Sequence, residues 1–286
     1  MFSTTTAANA TSFPSSDGEY AAAATPIRSC PLKSKLAGVN GAHRIGLQWQ
    51  ARCLRLVPHQ RPITSSAAFS LSSSAMEFID LGRMKYRPAW ERQLQIHENV
   101  HAGADETVLF VEHEPVITFG RRPGVARNLL ASAEQLAKLG VEVVESDRGG
   151  DITFHGPGQL VVYPIIRLSN HKLSVSGYVH RLEEIIIDTL GALGIAGATT
   201  DPAAPGVWVP YSGQLAKVCA VGVRIRKGIT MHGIALNVTT DLHYFDLIVP
   251  CGLVGRRATS LAQLARERAW SLDEVKAQVT GSFRLL

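Results

Sequence analysis

Residues 76–286 predict one α/β or α+β domain. Three observations point there. Helical and strand signals alternate along the stretch. The chain of 286 residues suits one large catalytic domain, or two small ones at most. Its 45% hydrophobic and 19% charged residues are ordinary globular composition, which excludes a wholly disordered or fibrous chain. No internal repeat is visible.

The elements follow in order. Trp90, Leu94, His97 and His101 fall on one helical face, and Pro88 suits a first turn. Val108–Val111 and Val116–Phe119 read as two strands around a Glu114-Pro115 turn. Ser132 with Gln135 makes a capping box, and Gly140 closes the short helix that follows. Val141–Glu145 and Leu160–Ile166 are strands. Val175–Leu193 is the clearest helix, with Val179, Leu182, Ile186, Leu190 and Leu193 on one side. Lys217–Val223 and Ile229–Val238 are strands, and Ser271 with Glu274 caps the last helix.

Residues 1–75 stand apart. They are rich in Ser, Thr and Ala and show no sustained apolar period. Two readings fit: an organelle transit peptide, or a dispensable leader before Met76. The leader is slightly favoured, because Asp17 and Glu19 fall where a transit peptide is least acidic. The expected location is the cytoplasm, with a mitochondrion or plastid as the alternative if the segment is a targeting peptide. The net charge of +5 also resides there: residues 1–75 hold seven Lys/Arg and two acids, leaving 22 of each sign for 76–286. The near-neutral body lacks a nucleic-acid footprint. No apolar run is long enough to span a membrane. Cys30, Cys53, Cys219 and Cys251 show no CxxC spacing, which argues against a zinc ribbon, a thioredoxin motif or a disulfide scaffold. No metal site and no cofactor are expected.

Four stretches carry chemistry. The run from Arg148 to Gln159 packs Arg148, Thr153 and His155 among four glycines, which lets backbone approach a ligand closely. The alternative is a pair of tight turns. It is neither a dinucleotide fingerprint nor a P-loop. Lys217 enters a strongly apolar strand, which is costly unless the amine is exposed or paired; the alternative is a strand-edge lysine reaching water. Cys219, two residues on, projects to the same face of a regular strand and reads as core filling. Gly233 and Ala235 share a face opposite His232, leaving room for an apolar ligand or for close packing. Cys251 sits at a Pro250/Gly252 turn after an apolar run. A thiol there needs a base or a cation nearby to act as nucleophile; Lys217, His155 and His232 are candidates.

Taken together, RGGDITFHGPGQLVVYPI at 148–165, KVCAVGVRI at 217–225, TMHGIALNV at 230–238 and IVPCG at 248–252 resemble the octanoyltransferase family, also called lipoate-protein ligase B. The similarity runs from about residue 77 to 275. It implies the fold of biotin and lipoate protein ligases, a mixed sheet flanked by helices. It implies transfer of an octanoyl group from acyl carrier protein to a lysine of a lipoyl domain, in 2-oxoacid dehydrogenase subunits and the glycine cleavage H protein. Cys251 would carry the acyl group as a thioester, and Lys217 would lower the cysteine's pKa. Substrate would be bound by Arg148, Gly149, Gly150, Asp151, Ile152, Thr153, Phe154 and His155, by Ala220, Val221 and Gly222, and by Gly233, Ile234 and Ala235. The sequence departs from the family at Cys219, where a small aliphatic residue is usual, and at Asp151, where Gln or Glu is.

This chemistry requires no nucleotide, because thioester exchange is close to thermoneutral. Backbone N–H groups near Gly222 or Gly233 would hold the oxyanion. Val221, Ile234, Ala235 and Leu236 would receive the eight-carbon chain, at about 0.8 kcal/mol per methylene. His155 would orient the thioester or the pocket. Arg121, Arg122, Arg224, Arg226, Lys227, Arg256 and Arg257 are candidates for docking an acidic carrier protein. The rivals are an ATP-dependent lipoate or octanoate ligase on the same fold, a non-catalytic module that binds acyl carrier protein, and a Cys–His hydrolase using His232.

Overall fold

The structure, a computed structural model, describes residues 76–249 and 256–286. The leader expectations for residues 1–75, and the Cys251 turn, lie outside the described residues. The strands are β1 (Glu77–Met84), β2 (Thr107–His113), β3 (Val116–Phe119), β4 (Glu142–Glu145), β5 (Thr153–His155), β6 (Gln159–Ile165), β7 (Thr199–Thr200), β8 (Gly206–Tyr211), β9 (Gln214–Arg226), β10 (Ile229–Asn237) and β11 (Arg257–Ala258). The helices are α1 (Tyr86–His101), α2 (Ala133–Lys138), α3 (Val175–Ala192), α4 (Leu261–Leu264) and α5 (Leu272–Phe283).

The main sheet runs β1-β2-β6-β10-β9-β8-β7, with β11 also on β9. It is mixed: β1–β2 and β11–β9 are parallel, the other pairs antiparallel. Helices α3 and α5 cover one face, where Leu182, Ile186, Leu190, Val275 and Phe283 pack on Val162, Ile234 and Leu236. Each such fully buried side chain is worth about 1.5–3 kcal/mol. Helix α1 covers the other face through Ala89, Ile96 and Val100 against Leu109, Val161 and Ala235. A second sheet, β4-β3-β5, is also mixed. The Glu114-Pro115 turn does not close a hairpin; it passes the chain from one sheet to the other.

Several local expectations hold. Ser132 Oγ accepts from Gln135 N at 3.2 Å, Gln135 Oε1 accepts from Ser132 N at 2.9 Å, and Gly140 follows with φ +65°. Helix α3 buries Leu182, Ile186 and Leu190, as its spacing predicts.

Others are corrected. The buried face of α1 is Tyr86, Ala89, Gln93, Ile96, His97 and Val100; Leu94 and His101 face solvent. Buried Gln93 is polar because its Oε1 accepts the His232 N–H at 2.8 Å, so hydropathy alone mislays the face. Ser271 Oγ accepts from Asp273 N, while Glu274 pairs with Arg268 instead of closing a capping box. Cys219 does not share the face of Lys217. The β8–β9 register shifts between Val207/Cys219 and Trp208/Lys217, so Val218 is an extra residue. The bulge sends both Val218 and Cys219 into the core and leaves Lys217 on the side of Ala220. Burial pushes the Cys219 thiol up to about 12, so it remains an inert thiol.

Candidate active site

A cavity of about 350 Å³ opens where β9, β10 and β6 meet the 148–155 segment. It collects Arg148–Thr153, His155, Lys217, Ala220–Gly222 and Gly233–Ala235, residues far apart in the chain. Phe154 is not among its walls. It points the other way, stacked on Tyr244 with ring centroids 4.5 Å apart, as strand alternation between Thr153 and His155 demands. Leu236 likewise lies in the core below the sheet.

One wall is almost free of side chains. The β9–β10 register sets Gly222 opposite Gly233 and Ala220 opposite Ala235. Gly233 is also required by packing: a Cβ there would clash with the Val162 carbonyl oxygen and lie 2.7 Å from Pro164 Cδ. Both readings of the small-residue strand therefore apply, close packing on one side and a cavity wall on the other.

The facing wall is polar and pinned. Arg148 is buried; its Nη2 donates to Thr118 O at 2.7 Å, and Nη2 and Nε reach Thr118 Oγ1 at 2.9 and 3.1 Å. The Gly149 N–H donates to Val223 O at 2.9 Å, tying the glycine loop to β9. Asp151 accepts from Asn128 Nδ2 at 2.8 Å, from the Ile152 N–H at 2.7 Å and from Arg122 at 3.1 Å. Its carboxylate therefore holds the loop in shape.

Behind this wall lie aromatic and imidazole rings. His155 stacks on Tyr86 at 6.1 Å and meets His113 edge-on at 5.8 Å. Burial, with positive charge potential at His113 and Arg148 beside it, holds His155 well below its ordinary pKa. His113 is lowered by burial to about 4. Its Nδ1 faces Met84 O at 3.1 Å and its Nε2 faces the Tyr163 hydroxyl at 2.7 Å. A carbonyl only accepts, so Nδ1 donates and the tyrosine O–H donates to Nε2. His232 occupies a left-handed conformation, φ +56°, in the middle of β10, a costly choice for a non-glycine residue. Its Nε2 is 2.7 Å from Asp147 Oδ1, and burial lowers its pKa despite that carboxylate.

Lys217 reaches the cavity from the bulge. Its Nζ donates to Pro205 O at 2.9 Å and sits 4.7 Å from the centre of the Trp208 ring. Gly206 makes room, since a Cβ there would stand 3.2 Å from Lys217 Cε. Arg256, the first described residue after 250–255, packs 4.7 Å from the same Trp208 ring and pairs with Asp201 at 2.6 Å. Ala258 then pairs with Lys217 across β11–β9. Cys251 itself lies outside the described residues.

Sequence reasoning passed over Tyr86, Thr118, Gln159, Tyr163, Asn237 and Trp208. The available signal was polar atoms inside apolar strands, at Gln159 and Asn237 above all. Among the described residues no group of three His, Cys, Asp or Glu is placed to hold a metal ion. Of the proposed docking cations, Arg224 pairs with Asp147 and both Arg226 and Lys227 lie near Glu98.

Comparison with known proteins agrees with this geometry. The family described as lipoyl protein ligase A/B catalytic domain matches residues 85–284. The octanoyltransferase of Koribacter versatilis is 45% identical over 211 residues, covering 73% of this chain and 82% of the relative. That of Nitratidesulfovibrio vulgaris is 41% identical over 211 residues, covering 74% and 94%. Among solved structures, a lipoate-protein ligase A bound with ATP superposes with a TM-score of 0.59 at 16% identity, over 72% of this chain and 83% of that one, a likeness of fold. The chain belongs to the octanoyltransferase family and is an acyltransferase built on the lipoyl protein ligase A/B catalytic domain.

Proposed function

We propose that the catalytic domain of residues 76–286 moves an octanoyl group from the thioester of acyl carrier protein to a lysine of a lipoyl domain, through a thioester on Cys251. The observation that carries this reading is the placement of Lys217 in the wall of the cavity, on the strand that pairs with Arg257 and Ala258, a few residues after Cys251 in the chain. An ammonium beside a thiol favours the thiolate.

The steps balance without a nucleotide. The Cys251 thiolate attacks the octanoyl carbonyl, the carrier's sulfur leaves, and the Lys217 ammonium protonates it. The neutral acceptor amine then attacks the acyl-cysteine. Its nitrogen passes a proton to Lys217, the C–S bond breaks, and thiolate and ammonium are restored. The Gly/Ala wall and Val221 and Ile234 accommodate the alkyl chain, and Arg148 to Thr153 and His155 line the carbonyl end.

The partners in this reading are acyl carrier protein, the lipoyl domains of 2-oxoacid dehydrogenase subunits and the glycine cleavage H protein. Exposed arginines such as Arg121 and Arg122 suit an acidic carrier. The working location is the cytoplasm, with a mitochondrion or plastid as the alternative if residues 1–75 are a transit peptide. Among the described residues no helix is long and apolar enough to cross a membrane. The test is transfer from octanoyl-carrier protein to a lipoyl domain with no nucleotide present, read by the mass of the domain. Octanoylation is expected; a strict requirement for ATP would overturn the transferase route in favour of a ligase.

A further inference from the structure

Gln159 and Asn237 take no part in those steps, yet both are buried amides at the ends of apolar strands. Their hydrogen bonds run in one forced direction. Phe154 O can only accept, and it lies 3.2 Å from the Gln159 amide nitrogen, so Nε2 must point there. Thr259 O can only accept, and it takes Asn237 Nδ2 at 3.0 Å. Asn237 therefore turns Oδ1 to Gln159 Nε2, at 2.9 Å. Gln159 has only Oε1 left for His155 Nδ1, at 2.8 Å. An oxygen in that place requires the proton on Nδ1. Neutral His155 then carries its lone pair on Nε2, to which no described residue hydrogen-bonds, and the ring borders the cavity. The far end of the amide chain is tied to the Lys217 strand, because the Thr259 N–H donates to Lys217 O at 2.9 Å.

The chemistry leaves a task for that lone pair. A free lysine arrives as an ammonium. Octanoyl thioester and ammonium yield amide, thiol and one proton. The Lys217–Cys251 cycle closes on itself, so this proton goes to solvent before attack, and the cavity must hold the amine in its neutral form. We infer that Gln159 and Asn237 are positioning residues that hold His155 as the Nδ1–H tautomer, and that His155 Nε2 accepts an N–H hydrogen bond from the incoming neutral amine and turns its nitrogen lone pair toward the acyl-cysteine. The groups facing His155 are Tyr86 from α1, His113 from β2, Arg148 from the glycine loop and His232 from β10. They include no carboxylate; the Gln159 oxygen alone favours the imidazolium, and burial with His113 and Arg148 outweighs it, so the ring keeps its lone pair.

This inference rests on the thioester-to-lysine reading, and its test separates the two. Nitrogen-15 NMR of the free, histidine-labelled protein reads the tautomer without turnover. The signal lost in His155→Gln is expected to show a protonated Nδ1 and a bare Nε2 at neutral pH. An Nε2–H tautomer or an imidazolium would overturn the inference. The Gln159→Glu variant supplies the second arm. A carboxylate accepts the same N–H but raises the pKa of His155, so the acid limb of kcat moves up by about one pH unit. Transfer from preformed octanoyl-enzyme to a lipoyl domain slows on the acid side and stays near the wild-type rate at neutral pH, where His155 is still neutral, while loading of the enzyme is unchanged. An unmoved acid limb in a variant of native Tm, or equal slowing of both halves, would overturn it. Failure of the wild type to form any octanoyl-enzyme would overturn the cysteine route, and the tautomer would still decide His155.

Discussion

The two walls of the cavity are built by opposite means. The β9–β10 wall is made by register: Gly222 opposite Gly233 and Ala220 opposite Ala235 leave a smooth surface whose shape is set by backbone. The 148–155 wall is made by hydrogen bonds: Arg148 on Thr118, Asp151 on Asn128 and Arg122, His155 on Gln159. The first wall sets what fits, the second sets where charge and lone pairs point. Lys217 stands where they meet, because the bulge at Val218 turns one residue of the shape wall into a chemical one. Substitutions should therefore divide by wall, those in the strands altering stability and chain length, those in the loop altering binding and rate.

Lys217→Ala removes the junction and has the largest expected effect. In the proposed cycle Lys217 transfers the proton, and loss of such a group costs about 10²- to 10⁴-fold in kcat, with KM for the octanoyl donor little changed. Steady-state kinetics check this, and Lys217→Arg should be more damaging than His232→Gln. The reverse order would favour a histidine-assisted hydrolase.

Gly233→Ala comes next and acts on the fold. The new Cβ meets the Val162 carbonyl, which is backbone and cannot swing away. Overpacking of this kind costs about 2–3 kcal/mol. Thermal unfolding should show Tm falling by several degrees, while kcat of the folded fraction changes little.

Thr118→Val breaks the polar wall from behind. It removes the hydroxyl that receives Arg148 Nε and Nη2 and leaves a buried guanidinium short of acceptors, at about 1–3 kcal/mol. KM for the octanoyl thioester should rise more than kcat falls. Ala220→Val is the mildest. It adds two methyl groups to the smooth wall and should shift preference from eight-carbon toward shorter acyl chains. About 0.8 kcal/mol per displaced methylene predicts roughly fourfold in the ratio of kcat/KM values.

Local signals were legible in the chain and long-range ones were not. The capping box at Ser132 and the apolar side of α3 depend on residues within a turn of each other, and the structure reproduces both. Three of the four motif stretches, 148–155, 217–223 and 232–235, converge on one cavity because each is a strand or a strand edge with small residues, a pattern visible without a partner; the fourth, around Cys251, lies outside the described residues. The face of α1 was misplaced because Gln93 is buried to serve His232, 139 positions away. The bulge at Val218 depends on β8, so simple alternation put Cys219 beside Lys217 when it belongs to the core. Phe154 was swept into the site by its motif, although alternation between Thr153 and His155 already pointed it away. The His155–Gln159–Asn237 chain spans β5, β6 and β10, and no local pattern announces it.

The central claim is that the acyl group rests on Cys251 between donor and acceptor. Intact-protein mass spectrometry after mixing with octanoyl-carrier protein alone, followed by peptide mapping, tests it most directly. The expected result is one added octanoyl group on Cys251 that disappears when a lipoyl domain is supplied. A fully active enzyme that never gains that mass, or a Cys251→Ala variant with unchanged turnover, would contradict it.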